Sequence, residues 1–261
     1  MALLEVTNLV KNFSRGNSVI PAIHELNLSV NESEFITVVG PSGCGKSTFL
    51  HILGGFIPKN GGKILLNGHE VNGPGPDRGV MFQEFALYPW RSVIGNVGWG
   101  LEVQGVSKQQ RIATAEKYLA LVGLSKFRDH YPHELSGGMK QRVALARVLA
   151  FDPKVLLMDE PFGSLDVQTR ELMQEELNKI WESTRKTVLF VTHDIEEAIY
   201  LGDKVFVFTA RPGTIKEVVD IKLARPRRIE VKKSKEFHDY RDYVWDLLRA
   251  EVLKARQETE L

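Results

Sequence analysis

Short runs of consecutive apolar residues recur along the chain. They occupy residues 35–39, 155–158 and 188–191, and each is too short for a buried helix but has the length of a buried strand. Stretches with apolar residues at helical spacing, such as 167–181 and 194–201, alternate with the later runs. Strands that alternate with helices in this way predict an α/β fold with a parallel sheet covered on both faces.

The first thirty or so residues have a different pattern. Three short segments with strand-like alternation, residues 4–10, 19–23 and 26–30, are separated by polar turns at 12–17 and 24–25. This alternation favours a small antiparallel sheet at the start of the chain.

The apolar positions change again in the middle of the chain. From residue 84 they take helical spacing interrupted by glycines, and a long helix is predicted to end near residue 150. We therefore expect a helical subdomain, residues 84–150, inserted into an α/β domain that covers residues 1–213. Residues 214–261 are expected to form a strand and a helix that pack on this domain. The basic segment at 222–235 is expected to be solvated, with contact to anionic lipid as the alternative.

Composition and charge exclude several classes of protein. The chain has 34 Lys+Arg against 33 Asp+Glu, a net charge of +1, so no global basic field indicates nucleic acid as a partner. One cysteine, Cys44, rules out an internal disulfide framework and fits a reducing compartment. We see neither a secretory signal nor an apolar run approaching the about 20 residues needed to cross a bilayer. The expectation is a cytoplasmic protein that reaches a membrane only through a partner.

The apolar run at 35–39 leads directly into a glycine-rich turn with the spacing G-x-x-x-x-G-K-S, after which apolar residues resume at helical spacing. This strand, loop and helix are typical of a phosphate-binding loop, where backbone N–H groups and a helix N-terminus surround phosphate oxygens. Lys46 is expected to reach the β- and γ-phosphates of a nucleotide, and the Ser47 hydroxyl to bind Mg²⁺. The predicted contacts are Gly40, Pro41, Ser42, Gly43, Cys44, Gly45, Lys46, Ser47 and Thr48.

Two carboxylates, Asp159 and Glu160, directly follow the apolar run at 155–158. Such residues lie at the carboxyl edge of a parallel sheet, where open α/β folds bind their ligands. Asp159 is expected to hold Mg²⁺ and Glu160 to polarise the attacking water. Adjacent acids are also common in ordinary turns, so this interpretation depends on the phosphate-binding loop being present.

A second candidate anion site opens the long predicted helix. Ser136, Gly137 and Gly138 combine a hydroxyl with the N–H groups and the positive dipole of a helix start. The alternative is a serine N-cap followed by flexible glycines, a frequent arrangement. One nucleotide does not obviously need two such sites.

Taken in chain order, these motifs resemble the nucleotide-binding subunits of ATP-binding-cassette (ABC) transporters. The resemblance implies a P-loop NTPase (RecA-like) core with an N-terminal antiparallel β-subdomain and an inserted α-helical subdomain. It also implies ATP and Mg²⁺ as cofactors, ATP hydrolysis, and a homodimer in which the Ser136 loop contacts the ATP held by the partner's Lys46. It covers residues 4–213 and depends on the phosphate-binding loop, Gln83, residues 135–141, Asp159, Glu160, residues 164–166 and His193.

The same resemblance implies roles for individual residues. Gln83 would contact Mg²⁺ and the attacking water, and His193 would contact the γ-phosphate. Asp166 would couple the two ATP sites of the dimer, and Phe13 would stack on adenine. The implied catalytic residues are Lys46, Gln83, Glu160 and His193. The implied Mg²⁺ ligands are Ser47, Gln83 and Asp159.

Several segments are similar to the nitrate/sulfonate/taurine group of ABC importers, namely residues 73–79, 81–83, 87–90 and 161–166. This similarity implies import of a small anionic solute of the taurine, alkanesulfonate or nitrate class through a separate permease. Other relatives in the group import bicarbonate or thiamine precursors, and the cassette does not touch the cargo. An extracytoplasmic solute-binding protein would be an indirect partner.

The implied location is peripheral, on the cytoplasmic face of the inner membrane. A groove near Gln83, with Phe82, Phe85, Tyr88 and Trp90, would receive a short helix of the permease. The alternative function is a soluble ABC ATPase that acts on a macromolecule. Stable binding to a permease in membranes distinguishes these two functions.

Cys44 has two interpretations. It is either a small residue tolerated in the loop, or a thiol whose alkylation blocks nucleotide entry.

Overall fold

The computed structural model describes residues 2–16 and 18–259. The chain divides into two compact units: unit 1 contains residues 1–75 and 185–261, and unit 2 contains residues 76–184. Within the described residues, no helix combines the length and the apolar character needed to span a bilayer.

The strands are β1 (Ala2–Arg15), β2 (Ser18–Asn31), β3 (Phe35–Val39), β4 (Gly61–Leu66), β5 (His69–Glu70), β6 (Arg78–Met81), β7 (Val155–Asp159), β8 (Thr187–Val191), β9 (Lys204–Phe208) and β10 (Ile215–Asp220). The helices are α1 (Lys46–Leu53), α2 (Val93–Val97), α3 (Trp99–Val103), α4 (Lys108–Leu121), α5 (Gly137–Ala150), α6 (Val167–Thr184), α7 (Ile195–Leu201) and α8 (Lys235–Thr259). Single 3₁₀ turns cover Ser125–Phe127, Pro132–Glu134 and Ile229–Lys233.

Unit 1 contains the antiparallel sheet predicted for the start of the chain, with strand order β2-β1-β4-β5. The prediction of three short strands is wrong in detail, because β1 and β2 are continuous over fourteen residues each. The expected turn at 24–25 is a bulge within β2, where Glu25 has a left-handed φ of +44° and the pairing with β1 shifts register. β1 also continues through most of the expected turn at 12–17.

Unit 1 also contains four strands of a second sheet. β3 lies between β8 and β9 and is parallel to both, and β10 pairs antiparallel with β9. All five residues of β3 and of β8 are buried, which explains their continuous apolar sequences. Because β3 and β8 run in the same direction, the segments that follow them leave from the same edge of the sheet.

Unit 2 combines the parallel pair β6 and β7 with the helices α2 to α6. The helix α5 is largely buried and packs on α2, α3 and α4. Serines begin three of these helices: Ser92, Ser107 and Ser136 each accept a hydrogen bond from the amide three residues later. The predicted helical subdomain at 84–150 falls inside this unit, and its status as a separate insertion remains a prediction.

The C-terminal residues of unit 1 form β10 and α8, and the helix buries Phe237 and Val244 completely. The predicted boundary at residue 213 lies in the turn between β9 and β10, and division of the chain there remains a prediction. The expected solvation of the basic segment 222–235 is wrong for Arg227, which is 5 % exposed. Its guanidinium donates to the carbonyl oxygens of Ile199 and Gly202, and burial lowers its pKa to about 10.

Candidate active site

The predicted phosphate-binding loop lies in unit 1 between β3 and α1. Gly45, the residue before α1, has a φ of +107°, and an added Cβ would lie 2.8 Å from the carbonyl oxygen of Ala22. Only glycine adopts this positive φ without strain and also leaves room for the Ala22 carbonyl. A helix supplies no internal acceptors for the amides of its first turn, so this loop and helix start have the geometry of an anion site.

The Lys46 ammonium is held against the loop. Its Nζ donates to the carbonyl oxygens of Gly40 at 2.8 Å and Pro41 at 3.0 Å, and the side chain is buried. A phosphate oxygen is a stronger acceptor for this cation than a neutral carbonyl. The ammonium is therefore positioned to exchange loop carbonyls for phosphate oxygens.

The Cys44 thiol is also buried in the loop, at 1 % exposure, with Sγ 4.0 Å from Lys46 Nζ. Burial raises the pKa of this thiol, and the nearby ammonium opposes the rise only in part. A buried thiol with a raised pKa is a poor nucleophile at neutral pH. The structure thus favours packing over the reactive-thiol interpretation.

His193 leaves the same edge of the sheet as the phosphate-binding loop, because it follows β8 and β8 lies parallel to β3. The Thr192 amide donates to the Val38 carbonyl at 3.1 Å, so this alignment extends past the end of β8. His193 itself is exposed. Asp194 then caps α7 by accepting hydrogen bonds from two backbone amides of its first turn.

Phe13 lies on β1 opposite Ile20 of β2, and it is 40 % exposed. The Lys11 ammonium lies 4.8 Å from the centroid of its ring. A partly exposed ring next to a cation is suited to contact a planar base. The stacking of Phe13 on adenine remains a prediction.

In unit 2, Gln83 and Glu160 follow β6 and β7, which run parallel and in register. Gln83 Nε2 and Glu160 Oε2 lie 3.7 Å and 3.8 Å from the position that a Cβ on Gly163 would occupy. The structure therefore brings these two predicted side chains to the same small volume beside Gly163, where they can orient and polarise a water molecule.

The two carboxylates at the end of β7 have different surroundings. Asp159 is the last residue of the strand and is buried, whereas Glu160 is half-buried. Glu160 has a φ of +43°, a left-handed conformation that is uncommon outside glycine. Such conformations often occur at functional sites.

Ser136 caps α5, as the N-cap alternative proposed, because its hydroxyl accepts from the Met139 amide at 3.4 Å. An added Cβ on Gly138 would lie 3.0 Å from the side chain of Thr169, so the start of α5 lies against the start of α6. Asp166 caps α6 by accepting from the Thr169 amide at 3.0 Å. This hydrogen bond is the main reason that the pKa of Asp166 is below its ordinary value.

The predicted Mg²⁺ ligands are a hydroxyl (Ser47), an amide (Gln83) and a carboxylate (Asp159). These are hard oxygen donors, and Mg²⁺ in nucleotide sites is bound by one or two carboxylates together with phosphates and water. Among the described residues no cluster of three or more His, Cys, Asp or Glu side chains could hold a metal by itself. The chemistry of each donor suits Mg²⁺. Ser47 belongs to unit 1 and Gln83 and Asp159 belong to unit 2, and a Mg²⁺ site shared by the three remains a prediction.

The turn at residues 209–214 was not predicted as part of the site, yet it contacts the phosphate-binding loop through Arg211 and Gly213. The sequence Arg211-Pro212-Gly213 after a predicted strand is a turn signal that could have identified this segment. Glu251 of α8, which contacts the same turn, has no comparable signal because its position depends on long-range packing.

Residues 23–163 match the ABC transporter family. The chain is 54 % identical over 252 residues to an uncharacterised ABC transporter ATP-binding protein of Methanocaldococcus jannaschii, covering 97 % of this chain and 93 % of the relative. It is 45 % identical over 263 residues to the nitrate import ATP-binding protein of Synechocystis sp., covering 98 % of each. It is 42 % identical over 264 residues to the taurine import ATP-binding protein of Pseudomonas entomophila, covering 99 % and 100 %.

A solved structure supports the same assignment. A dimeric, post-hydrolysis ATP-binding cassette bound to ADP and Pi matches with a TM-score of 0.74 and 32 % identity, covering 85 % of this chain and 100 % of that chain. This likeness confirms the predicted P-loop NTPase fold class. The chain belongs to the ABC transporter family and is one of its ATP-binding subunits, an ATPase.

Proposed function

We propose that this protein hydrolyses ATP to drive import of a small anionic solute of the nitrate, taurine or alkanesulfonate class through a separate membrane permease. The observation that carries the hydrolytic part is the placement of Gln83 and Glu160 around one small volume beside Gly163. Similarity to nitrate and taurine import ATP-binding proteins over nearly the whole chain supports the import part. The proposed location is peripheral, on the cytoplasmic face of the inner membrane.

In this proposal the loop at 40–48 binds the phosphates of ATP, and Lys46 neutralises negative charge on the γ-phosphate. Gln83 orients a water molecule, and Glu160 accepts its proton as the water oxygen bonds to the γ-phosphorus. The bond to the bridging oxygen of ADP breaks, and ADP and phosphate leave. His193 donates a hydrogen bond to the γ-phosphate.

Ser47, Gln83 and Asp159 would hold Mg²⁺, which would supply positive charge at the phosphates of the nucleotide.

The proposed active form is a homodimer. Ser136, Gly137 and Gly138 would contact the ATP bound to the partner copy, and Asp166 would couple the two sites. Exposure of Ser136 at the start of α5 supports this role, as does the similarity to a dimeric cassette. The adjacent starts of α5 and α6 provide a physical connection between the Ser136 loop and Asp166.

The proposed permease site is a groove of about 710 Å³ in unit 2, whose lining includes Gln83, Phe85, Leu87 and Pro132. Of the aromatic residues predicted for docking, Phe85 lines this groove. Tyr88 instead packs on Trp99, with ring centroids 5.5 Å apart.

Trp90 is 72 % exposed, with its ring centroid 5.6 Å from that of Tyr88. A short amphipathic helix is a suitable ligand for a groove of this mixed character.

The test is growth of a deletion strain on taurine or an alkanesulfonate as sole sulfur source, and on nitrate as sole nitrogen source. We expect growth to fail on one of these, and to be restored by the wild-type gene but not by Glu160→Gln. Glu5→Gln, which changes an exposed carboxylate on β1, is the control that should restore growth. Normal growth of the deletion strain on every source, with no second transporter present, would contradict the proposed cargo class.

A further inference from the structure

The carbonyl side of the phosphate-binding loop is contacted by the turn at residues 209–214, which connects β9 to β10. Arg211 Nη2 donates to the Gly43 carbonyl oxygen at 3.1 Å. Gly213 lies so close to the next residue of the loop that an added Cβ would be 2.2 Å from the Cys44 carbonyl oxygen. The turn therefore contacts two consecutive carbonyl groups of the loop.

These carbonyl contacts determine where the loop amides point. In a planar trans peptide, the C=O of one residue and the N–H of the next point in opposite directions. The peptide plane that carries the Cys44 carbonyl toward Gly213 therefore directs the Gly45 N–H away from the turn. The guanidinium of Arg211 also adds a positive charge beside a loop whose proposed ligand is an anion.

The same turn is also hydrogen-bonded to strand β2 of unit 1. The Gly213 amide donates to the Ala22 carbonyl at 2.9 Å, and the Gly213 carbonyl accepts from the His24 amide at 3.2 Å. Thr209 Oγ1 donates to the Pro212 carbonyl at 3.1 Å within the turn. The two hydrogen bonds between Gly213 and β2, together with this internal hydrogen bond, hold the turn beside the loop.

The C-terminal helix α8 supplies a further support. Glu251 is 2 % exposed, and one of its carboxylate oxygens accepts from the Ala210 amide at 3.0 Å. Its other oxygen lies 2.9 Å from Lys216 Nζ and 3.2 Å from Lys254 Nζ. Burial raises the pKa of this carboxyl, but the hydrogen bonds from Ala210 and the two lysines hold it below its ordinary value. A buried carboxylate thus holds the residue that precedes Arg211.

We propose that Arg211 and Glu251 are positioning residues for nucleotide binding, Arg211 by orienting the phosphate-binding loop directly and Glu251 by holding the turn that carries Arg211. The inference rests on the proposed phosphate-binding role of residues 40–48. Through this connection, α8 contributes to ATP affinity although none of its residues belongs to the loop.

The first test measures the Kd and the steady-state kcat for ATP in Arg211→Ala and Arg211→Lys. Loss of a charge-assisted contact that orients a binding loop is expected to raise the Kd roughly fivefold to twentyfold in Arg211→Ala. The kcat at saturating ATP should stay within about twofold, because the contact is the same in the ground and transition states. Arg211→Lys keeps a donor and a charge, so it should recover at least part of the affinity. Arg249→Ala removes an exposed arginine of α8 and should match wild type.

The second test compares Glu251→Ala with Glu251→Gln, using Asp246→Ala as the control for loss of an exposed carboxylate on the same helix. The amide oxygen of glutamine can still accept from Ala210, so Glu251→Gln should bind ATP more tightly than Glu251→Ala. Thermal unfolding of each variant identifies any general loss of stability. A lowered Tm in Glu251→Ala with an unchanged Kd would reduce Glu251 to a stabilising residue and overturn its part of the proposal.

Lys46→Ala separates failure of this inference from failure of the proposed function. If Lys46→Ala loses ATP binding and Arg211→Ala binds ATP like wild type, the positioning role of Arg211 is wrong and the loop assignment stands. If Lys46→Ala binds ATP like wild type, the loop assignment itself is wrong, and the positioning role fails with it.

Discussion

The phosphate-binding loop of unit 1 and the carboxyl edge of β6 and β7 in unit 2 use different chemical groups. In the proposed function the loop binds phosphate mainly through backbone amides, and its shape depends on glycines and on neighbouring carbonyls such as that of Ala22. The edge in unit 2 is proposed to act through the side chains of Gln83 and Glu160, which follow two neighbouring parallel strands.

This difference determines how each region should respond to substitution. Changes around the loop alter the direction of backbone groups and should affect ATP affinity. Changes at the edge in unit 2 remove a proposed reacting group and should lower turnover while ATP still binds. Substitutions in each region can therefore confirm or break this division.

Glu160→Gln should lower the kcat for ATP hydrolysis roughly 10²- to 10⁴-fold, because the amide cannot accept a proton from the attacking water. The Kd for ATP should stay near the wild-type value. Phosphate release and equilibrium binding, measured on the same preparation, test both statements. Glu5→Gln is the control for an exposed carboxylate on β1. A wild-type kcat in Glu160→Gln would remove this residue from the catalytic set.

Ser136→Ala should lower turnover roughly 10- to 150-fold, the effect of losing a hydrogen bond to a charged phosphate in the dimer. It also removes an N-cap, which costs about 1 kcal/mol of stability. Ser107→Ala is a matched control because Ser107 caps α4 with the same 3.4 Å hydrogen bond. Both variants should lose similar stability in denaturant unfolding, and only Ser136→Ala should lose turnover. Equal turnover in the two would limit Ser136 to capping.

Phe13→Ala should raise the KM for ATP roughly twofold to tenfold, the range expected for one aromatic stacking contact. Phe13→Trp should restore affinity because it keeps a planar ring. Phe56→Ala, which removes another partly exposed phenylalanine of unit 1, is the control. An unchanged KM in Phe13→Ala would contradict the adenine contact.

Cys44 should react slowly with N-ethylmaleimide. This is the smallest of the expected effects. Burial raises the pKa of its thiol, so the reactive thiolate is scarcer at neutral pH than in an exposed cysteine, and labelling should accelerate as the pH rises. Mass spectrometry after N-ethylmaleimide treatment measures the rate, with the denatured chain as the control. Equal rates in native and denatured protein would show that the thiol is accessible.

Local signals in the sequence predicted much of this architecture. The apolar run at 35–39 is a fully buried strand, and the helix after Ser136 begins at the next residue. The catalytic carboxylate predicted at Glu160 follows a parallel strand, as the α/β pattern implies. In each case the residues that determine the element lie within it or next to it.

Long-range contacts explain the predictions that were wrong. Polar residues 24–25 indicate a turn, yet pairing with β1 keeps the strand continuous across a bulge at Glu25. Arg227 lies in a basic segment that composition assigns to solvent, but its shortest hydrogen bonds go to carbonyl groups at the end of α7, more than twenty residues earlier. Neither the β1 residues that pair with β2 nor the α7 carbonyls that bind Arg227 lie within a few residues of these positions in the sequence.

The most direct test of the division between the two regions is one rapid-mixing experiment on wild type, Lys46→Ala and Glu160→Gln that follows ATP binding and phosphate release together. Lys63→Ala, at an exposed lysine of β4, is the control for loss of charge. We predict binding without phosphate release in Glu160→Gln, and neither binding nor release in Lys46→Ala. Phosphate release at the wild-type rate in Glu160→Gln, or wild-type binding in Lys46→Ala, would contradict the account.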